Sequence, residues 1–311
     1  MTWADEVAEA FGLADVVRAE EHTYRSSQTW RFETADGATY LVKEVPADWR
    51  RQLEAANAFE HRAAAAGLPM PRPVGGLVDV GGRLVRVSTW HDEVEHPPTT
   101  DPRWLGRTLA TLHEVQPLDA SVPPEPQWYG IEPAARWEER LELAQARKAF
   151  RADLLSERLP FIIAETARIA DAFDQAGDYV FTHRDVEPWN VLHTRDGTQL
   201  IDWDTAGPDS ARLEAAHAIL DFARNDGGDP DPAYVAAARE AYGRTFEGDH
   251  VLARRLGLMI ARMAERVDVL TGLAHAGSMD LADAEQRVRD RLDGLPAFAA
   301  DLREWSALFR V

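Results

Sequence analysis

Apolar positions recur at helical spacing over residues 2–18, where Trp3, Val7, Phe11 and Val16 or Val17 predict one amphipathic helix. The period then shortens. Thr29–Thr34 and Ala38–Val45 read as two strands, and Ala35-Asp36-Gly37 reads as the turn of a hairpin. An Ala- and Leu-rich helix is expected over 48–66, stopped by Gly67, Pro69 and Pro71. Leu77–Val80, extended by a few preceding residues, Gly81-Gly82 and Arg83–Val87 predict a second hairpin. The stretch from His91 to Pro102 is polar and reads as a linker. A helix follows from Asp101 or Pro102, with Leu105, Leu109, Leu112 and His113 along it. Residues 117–133 read as a Pro-rich loop. Further helices are expected at 133–157, 159–176, 210–224, 231–246, 249–276 and 280–307. Short strands around 179–204 interrupt them.

This order predicts an α+β chain of two lobes. Residues 1–90 supply a small antiparallel sheet with a helix, 91–102 a hinge, and 103–311 a large, mainly helical lobe. A cleft between such lobes is where a ligand is expected.

Composition narrows the function. The chain has 311 residues, 45% of them hydrophobic, enough for a sizeable core. It has no cysteine, which excludes disulfides, thiolate metal sites and a Cys nucleophile. No apolar run approaches the ~20 residues of a membrane span, and the acidic N-terminal stretch is unlike a targeting peptide, so a cytoplasmic protein is expected. The formal net charge of −19 argues against nucleic acid as a partner and suits a cationic small molecule. Only two of the 34 basic residues are lysine, Lys43 and Lys148. A chain that so favours arginine keeps lysine inside an apolar strand at position 43. There a compact ammonium serves where a planar fork would not.

The chemistry concentrates in His183-Arg184-Asp185-Val186-Glu187-Pro188-Trp189-Asn190 and Leu200-Ile201-Asp202-Trp203-Asp204. Val191–His193 and Gln199–Ile201 are expected to pair across the turn Thr194–Gly197. That hairpin brings Asn190 and Asp202 to one end. Phosphoryl transfer needs a group that orients the attacking hydroxyl, hard oxygen ligands for magnesium, and a cation on the non-transferred phosphates. Asp185 suits the first task, Asn190 and Asp202 the second, and Lys43 the third. Asp204 is a candidate metal partner through Asp202 or a cap of the next turn. His113 and His183 read as structural. Trp189 and Trp203 are expected to pack the motif or, alternatively, to stack on the substrate. Asp221, Asp226 and Glu265 read as solvated acids or, alternatively, as lining of a pocket for a cationic acceptor. No Gly-x-Ser-x-Gly setting or His-x-x-x-His spacing supports a hydrolase or a zinc site.

His183-Arg-Asp-x-x-x-x-Asn190 with Ile201-Asp202 resembles the catalytic and metal motifs of protein-kinase-like phosphotransferases. Three further segments resemble the aminoglycoside phosphotransferase and choline-kinase-like family more narrowly. They are the motif interior with Asp-Trp-Asp, the helix Leu105-Gly106-x-x-Leu109-Ala110-x-Leu112-His113, and Gly67-Leu-Pro-Met-Pro-Arg-Pro. The resemblance implies a protein-kinase-like two-lobe fold and a kinase using ATP (or GTP) and Mg2+. Asp185 would be the base, and Asn190 and Asp202 the metal ligands. Lys43 would hold the phosphates and pair with Glu60 or, alternatively, Glu54. Ser27 in the loop Arg25–Thr29 would cover the phosphates, and the hinge Ser88–Asp92, with Thr89 and His91, would meet the base. Arg184 stands where the family usually has glycine, and the covering loop lacks glycine. The implied acceptor is an aminoglycoside or similar cationic antibiotic. A sugar, an amino-alcohol or another metabolite is the alternative, and a catalytically silent nucleotide-binding protein is the alternative of another class.

Overall fold

The computed structural model describes residues 2–24, 27–95, 97, 99–121, 123–149, 151–224, 228–248, 250–277 and 279–310. They form two compact units. The first holds residues up to 117, 180–207 and 240–242, and the second holds 118–179, 208–239 and 243 onward. The fold class read from the sequence holds, with an antiparallel sheet and two α-helices early in the chain and helices dominating after it.

The first unit opens with α1, Trp3–Phe11, held at its start by a capping box between Thr2 and Asp5. Gly12 takes the left-handed conformation, φ 64°, and its N–H returns to the last turn. The helix expected through residue 18 therefore ends at 11. Residues Val16–Tyr24 instead form β1, paired antiparallel with β2, Ser27–Thr34. Most of β1 is exposed at the sheet edge, so it carries no alternating apolar pattern.

β3 (Thr39–Glu44), β4 (Pro73–Val80) and β5 (Arg83–Thr89) complete an antiparallel sheet of order β1-β2-β3-β5-β4. Trp30, Phe32, Val42, Val80, Val85 and Val87 share a core with Val7 of α1. Each such side chain contributes about 1.5–3 kcal/mol on burial. Alternation sends Lys43, Leu84 and Arg86 to the opposite face. There Leu84 packs with Val45 and with Leu53 of α2, Arg50–Ala65. Buried positions of α2 fall at 53, 56, 57, 59, 60 and 63, a helical stripe that includes Glu60 and excludes the exposed Glu54. α3, Pro102–Leu112, is capped by Asp101, and His113 behind it is buried against the Tyr242 hydroxyl at 2.9 Å.

β6 (Tyr179–Thr182) leads into the motif. β7 (Val191–Thr194) and β8 (Gly197–Leu200) then form the expected hairpin, with Val191 opposite Leu200. A further strand not expected from the sequence, β9, spans Gly207–Ser210, a Gly-Pro-Asp-Ser stretch of low strand propensity.

The second unit contains α4 (Ala134–Arg147), α5 (Ala152–Ala176), α6 (Ala211–Ala223), most of α7 (Pro232–Tyr242), α8 (Ala253–Thr271) and α9 (Leu281–Trp305). The break expected at 157–159 lies instead at Lys148, which adopts φ 52°. Pro160, read as a helix start, sits inside α5. The Ser156 carbonyl that loses its helical donor there lies on an exposed stretch where water can replace it.

A buried charged cluster joins α6 and α8. Arg254 binds Asp209 at 2.6 Å and donates to His217 Nδ1, while His217 Nε2 lies 3.0 Å from Asp221. Arg255 also binds Asp221, at 2.8 Å. Asp221, read from the sequence as solvated, is thus an internal partner, whereas Glu265 is exposed. Arginine N–H groups stand at both ring nitrogens, Arg254 at Nδ1 and Arg255 at 2.9 Å from Nε2, which disfavours an imidazolium, so His217 is neutral. Burial outweighs the Asp221 charge and lowers the His217 pKa to about 4. The neutral imidazole is favoured by folding, so this contribution is complete above the unfolded value of 6.5 and shrinks as pH falls toward 4. Wild-type stability is expected to lose about 3 kcal/mol from this group over that interval. Chemical denaturation of wild type and His217→Gln at pH 7 and pH 4.5 checks it, and parallel losses in the two proteins would contradict it.

Candidate active site

The candidate side chains of the motif, the sheet and α2 lie within the first unit. Lys43 on β3 is directly opposite Arg86 on β5, so both cations leave the same face of the sheet as cross-strand neighbours. Lys43 Nζ lies 2.8 Å from Asp202 Oδ1 and 2.7 Å from Asp204 Oδ2. Arg86 splits its fork, with Nη1 on Asp204 and Nη2 on Glu60. The result is an unbroken series of alternating charge, Glu60–Arg86–Asp204–Lys43–Asp202.

The expected Lys43–Glu60 pair is not formed. Glu60 faces inward as anticipated, but Arg86 takes its carboxylate. Arg86 was missed in the sequence, although a lone arginine within Leu84-Val85-Arg86-Val87 is a signal that a buried anion awaits it. Burial pushes the Glu60 carboxyl above the usual range even with Arg86 beside it. Burial acts the same way on Asp204, but Arg86 and Lys43 more than offset it and hold that carboxyl low. For Lys43, burial favours the neutral amine, and Asp204 followed by Asp202 reverse this and keep the ammonium charged.

The loop after β6 is held from within. His183 is buried and lies edge-on to Trp203, with ring centroids 4.7 Å apart. Its Nε2 donates to the Ile201 carbonyl at 3.0 Å, so Nδ1 is the acceptor, and it receives the Asp185 N–H at 3.2 Å. One imidazole thus fixes the backbone of Asp185 relative to the residue before Asp202. Asn190 Nδ2 donates to Asp185 Oδ2 at 2.7 Å and to the Asp185 carbonyl at 2.8 Å. That sets the amide orientation and leaves its oxygen to face elsewhere. The Asn190 carbonyl receives the Ile201 N–H at 2.9 Å, so the hairpin brings Asn190 and Asp202 to the same end.

Arg184 and Asp202 both adopt left-handed backbone, φ 65° and 67°. Such conformations cost of order 1–3 kcal/mol in a non-glycine residue and persist where surroundings hold them. For Arg184 the support is visible. Its buried guanidinium donates to the Thr205 carbonyl and lies over Gly207, where an added Cβ would come within 2.4 Å of Cζ. Gly207 therefore makes room for Arg184, whose role the sequence left open.

At the hinge, Thr89 exchanges backbone and side-chain hydrogen bonds with Arg72, each 2.9 Å long. The His91 ring lies 3.1 Å from Thr89 Oγ1 and 3.4 Å from the Gln199 amide of β8. Ser27 lies in β2, but its side chain and residues 25 and 26 of the covering loop fall outside the described residues, as does Asp226. Trp203 is buried as expected, against Phe59 as well as His183. Trp189 departs from the expectation and is 44% exposed, one residue before Asn190. Asp204 does not cap the next turn; Lys43 and Arg86 take its carboxylate, and Lys43 links it to Asp202. Glu214 is buried in the first turn of α6.

The carboxylate of Asp202, 41% exposed, and the amide oxygen of Asn190 are hard oxygen donors of the kind magnesium takes. The two aspartates of Asp202-Trp203-Asp204 should respond differently to neutralisation. Asp204→Asn strips a buried partner from two cations and is expected to cost about 2–4 kcal/mol in chemical denaturation. Asp202→Asn keeps a residue that tolerates left-handed backbone at an exposed position, and is expected to cost under about 1 kcal/mol. Equal costs would contradict the distinction.

Comparison of the sequence with curated proteins returns no match. Solved structures are similar over most of the chain. An aminoglycoside phosphotransferase from Alicyclobacillus acidocaldarius subsp. acidocaldarius DSM 446 has a TM-score of 0.55 at 19% identity, covering 94% of this chain and 93% of its own. A spectinomycin phosphotransferase in complex with ADP and spectinomycin gives 0.61 at 14% identity, with 92% of each chain covered. A choline kinase from Cryptosporidium parvum Iowa II gives 0.52 at 12%, covering 94% and 93%. At these identities the likeness establishes the fold. The sequence profile of the phosphotransferase enzyme family matches residues 23–251, most of the chain. The chain belongs to the phosphotransferase enzyme family and is a small-molecule phosphotransferase.

Proposed function

We propose that the protein transfers the γ-phosphoryl group of ATP or GTP to a hydroxyl of a small molecule in a magnesium-dependent reaction. The observation that carries this reading is the meeting of Lys43 with Asp202 at 2.8 Å, between residues 159 positions apart. Nothing local in the chain requires that pairing, and it unites the phosphate-binding cation with the metal-binding acid.

In this reading Asp185 orients the acceptor hydroxyl and takes its proton as the bond to phosphorus forms. Asn190 holds Asp185 Oδ2 through its amide N–H, so one carboxylate oxygen is fixed and the other is directed to the acceptor. Asn190 and Asp202 would hold magnesium, which when bound neutralises charge on the β- and γ-phosphates. Lys43 exchanges its Asp202 contact for the non-transferred phosphates and keeps Asp204. Ser27 lies where a covering loop would close. Residues 1–90 form the nucleotide-binding part. The Thr89 and Trp90 N–H groups are committed to Arg72 and Thr39. Base recognition therefore falls to the backbone beyond them, at His91 and Asp92.

The favoured acceptor is an aminoglycoside or similar cationic antibiotic. The net charge of −19 suits a cation, and structural neighbours include a spectinomycin phosphotransferase and an amicoumacin kinase. Neighbours also include choline and ethanolamine kinases, so an amino-alcohol acceptor is the second reading. Phosphate transfer across a panel of aminoglycosides, amino-alcohols and sugars, with and without magnesium, tests the reaction class. Magnesium-dependent transfer to a cationic acceptor is expected, and nucleotide binding without transfer to any acceptor would sink the proposal.

Asp185→Asn is expected to keep nucleotide affinity and lower kcat by about 10²–10⁴-fold. Unchanged turnover would remove Asp185 as the base. Asp202→Ala is expected to shift the magnesium dependence of turnover to higher concentration, and a wild-type titration would remove it as a ligand.

A further inference from the structure

Arg86 has no place in the reading above, yet it contacts two acids of the site, as Lys43 does. Its two terminal nitrogens engage acids from different parts of the chain, Glu60 on α2 and Asp204 after β8. Its backbone lies opposite Lys43. The Arg86 side chain is 9% exposed and that of Glu60 4%, so each charge depends on its protein partner rather than on water.

The charges balance in a specific way. Glu60 and Asp204 are offset by Arg86 and Lys43, and this buried foursome is neutral. Asp202 is the acid left over, and it is the exposed one. A direct Lys43–Glu60 pair would tie the ammonium to α2. Here Arg86 makes that tie, and Lys43 faces only aspartates. When Lys43 moves its second contact from Asp202 to phosphate oxygen, Arg86 still holds Asp204 and Glu60, so no buried carboxylate is stranded. Arg86 reaches the two acids with separate nitrogens, Nη2 for Glu60 and Nη1 for Asp204, held in one rigid plane.

We propose that Arg86 is a positioning residue of the phosphoryl-transfer site, bridging Glu60 to Asp204 in place of a direct Lys43–Glu60 pair and so leaving Lys43 available to the nucleotide. The inference rests on the proposed reading of this site as nucleotide-binding. It deepens that reading by assigning the α2 glutamate's tether to β5 rather than to β3.

The test compares wild type, Arg86→Lys, Arg86→Gln and the double variant Glu60→Gln/Arg86→Gln. Mg·ATP affinity is measured by calorimetry, kcat and KM for both substrates by phosphate transfer, and folding by thermal melts. Arg86→Gln leaves Lys43 beside two uncompensated acids. Its Mg·ATP affinity and kcat are each expected to fall about tenfold or more, with the acceptor KM unchanged. Arg86→Lys keeps the charge without the fork and should fall between, while melting near wild type. Removing the stranded charge in the double variant should recover most of the lost Mg·ATP affinity, a non-additivity that links the two side chains. A purely structural arginine would lower stability and every kinetic constant together, with no recovery in the double variant. That outcome, or wild-type Mg·ATP affinity in both single variants, would overturn the proposal. Absence of nucleotide binding by the wild-type protein would instead overturn the functional reading itself, and this inference with it.

Discussion

The first unit depends on one carboxylate serving two cations. Asp204 accepts from Lys43 and Arg86, which stand side by side on adjacent antiparallel strands. Two like charges so placed repel, and burial raises the cost of each. A shared anion turns the repulsion into attraction. It also fixes the segment 202–204 against the sheet, where Gln52 of α2 adds hydrogen bonds to the Asp204 and Ala206 carbonyls. The apolar core on the other face, built with α1, supplies stabilisation that does not depend on charge. The sheet therefore separates two tasks by alternation alone: one face packs, the other carries chemistry.

The loop after β6 is organised by the same economy of parts. His183 joins Asp185 to the strand end before Asp202, and Asn190 joins Asp185 to the hairpin. Among the described residues, three non-glycine positions are left-handed, and two of them, Arg184 and Asp202, lie in this motif. Strain placed at one end of a hairpin, and held by buried partners, is a form of preorganisation. Side chains are aimed before any ligand arrives.

Much of this was readable from residue spacing. The hairpin from Val191 to Leu200 announced itself by two apolar runs around a turn, and Asp101 marked the start of α3, whereas the helix expected to 246 ends at Tyr242, before the left-handed Gly243. Other features were not readable, for physical reasons. β1 is an exposed edge strand, so its pattern is set by solvent rather than by a core. The break at Lys148 has no glycine or proline to signal it. Pro160 signals a break that the helix does not take, because it falls on an exposed stretch. The partner of Glu60 was misjudged because strand register, which sets Arg86 opposite Lys43, depends on pairing between β3 and β5 and is not encoded in either strand alone. Trp189 was read as packing in preference to stacking on a substrate, because an aromatic within an apolar motif usually packs, and it is instead exposed.

The central claim is that Lys43 passes from aspartate to nucleotide phosphate while Asp204 and Arg86 stay in place. The chain contains only two lysines, Lys43 and the exposed Lys148, so protein carrying 15N at the lysine side-chain nitrogen gives two ammonium signals. These are assigned with Lys43→Arg and followed during titration with magnesium and a non-hydrolysable ATP analogue. The account predicts that the Lys43 signal shifts in proportion to nucleotide occupancy while that of Lys148 does not move. A saturating nucleotide complex in which the Lys43 signal keeps its original position would contradict it.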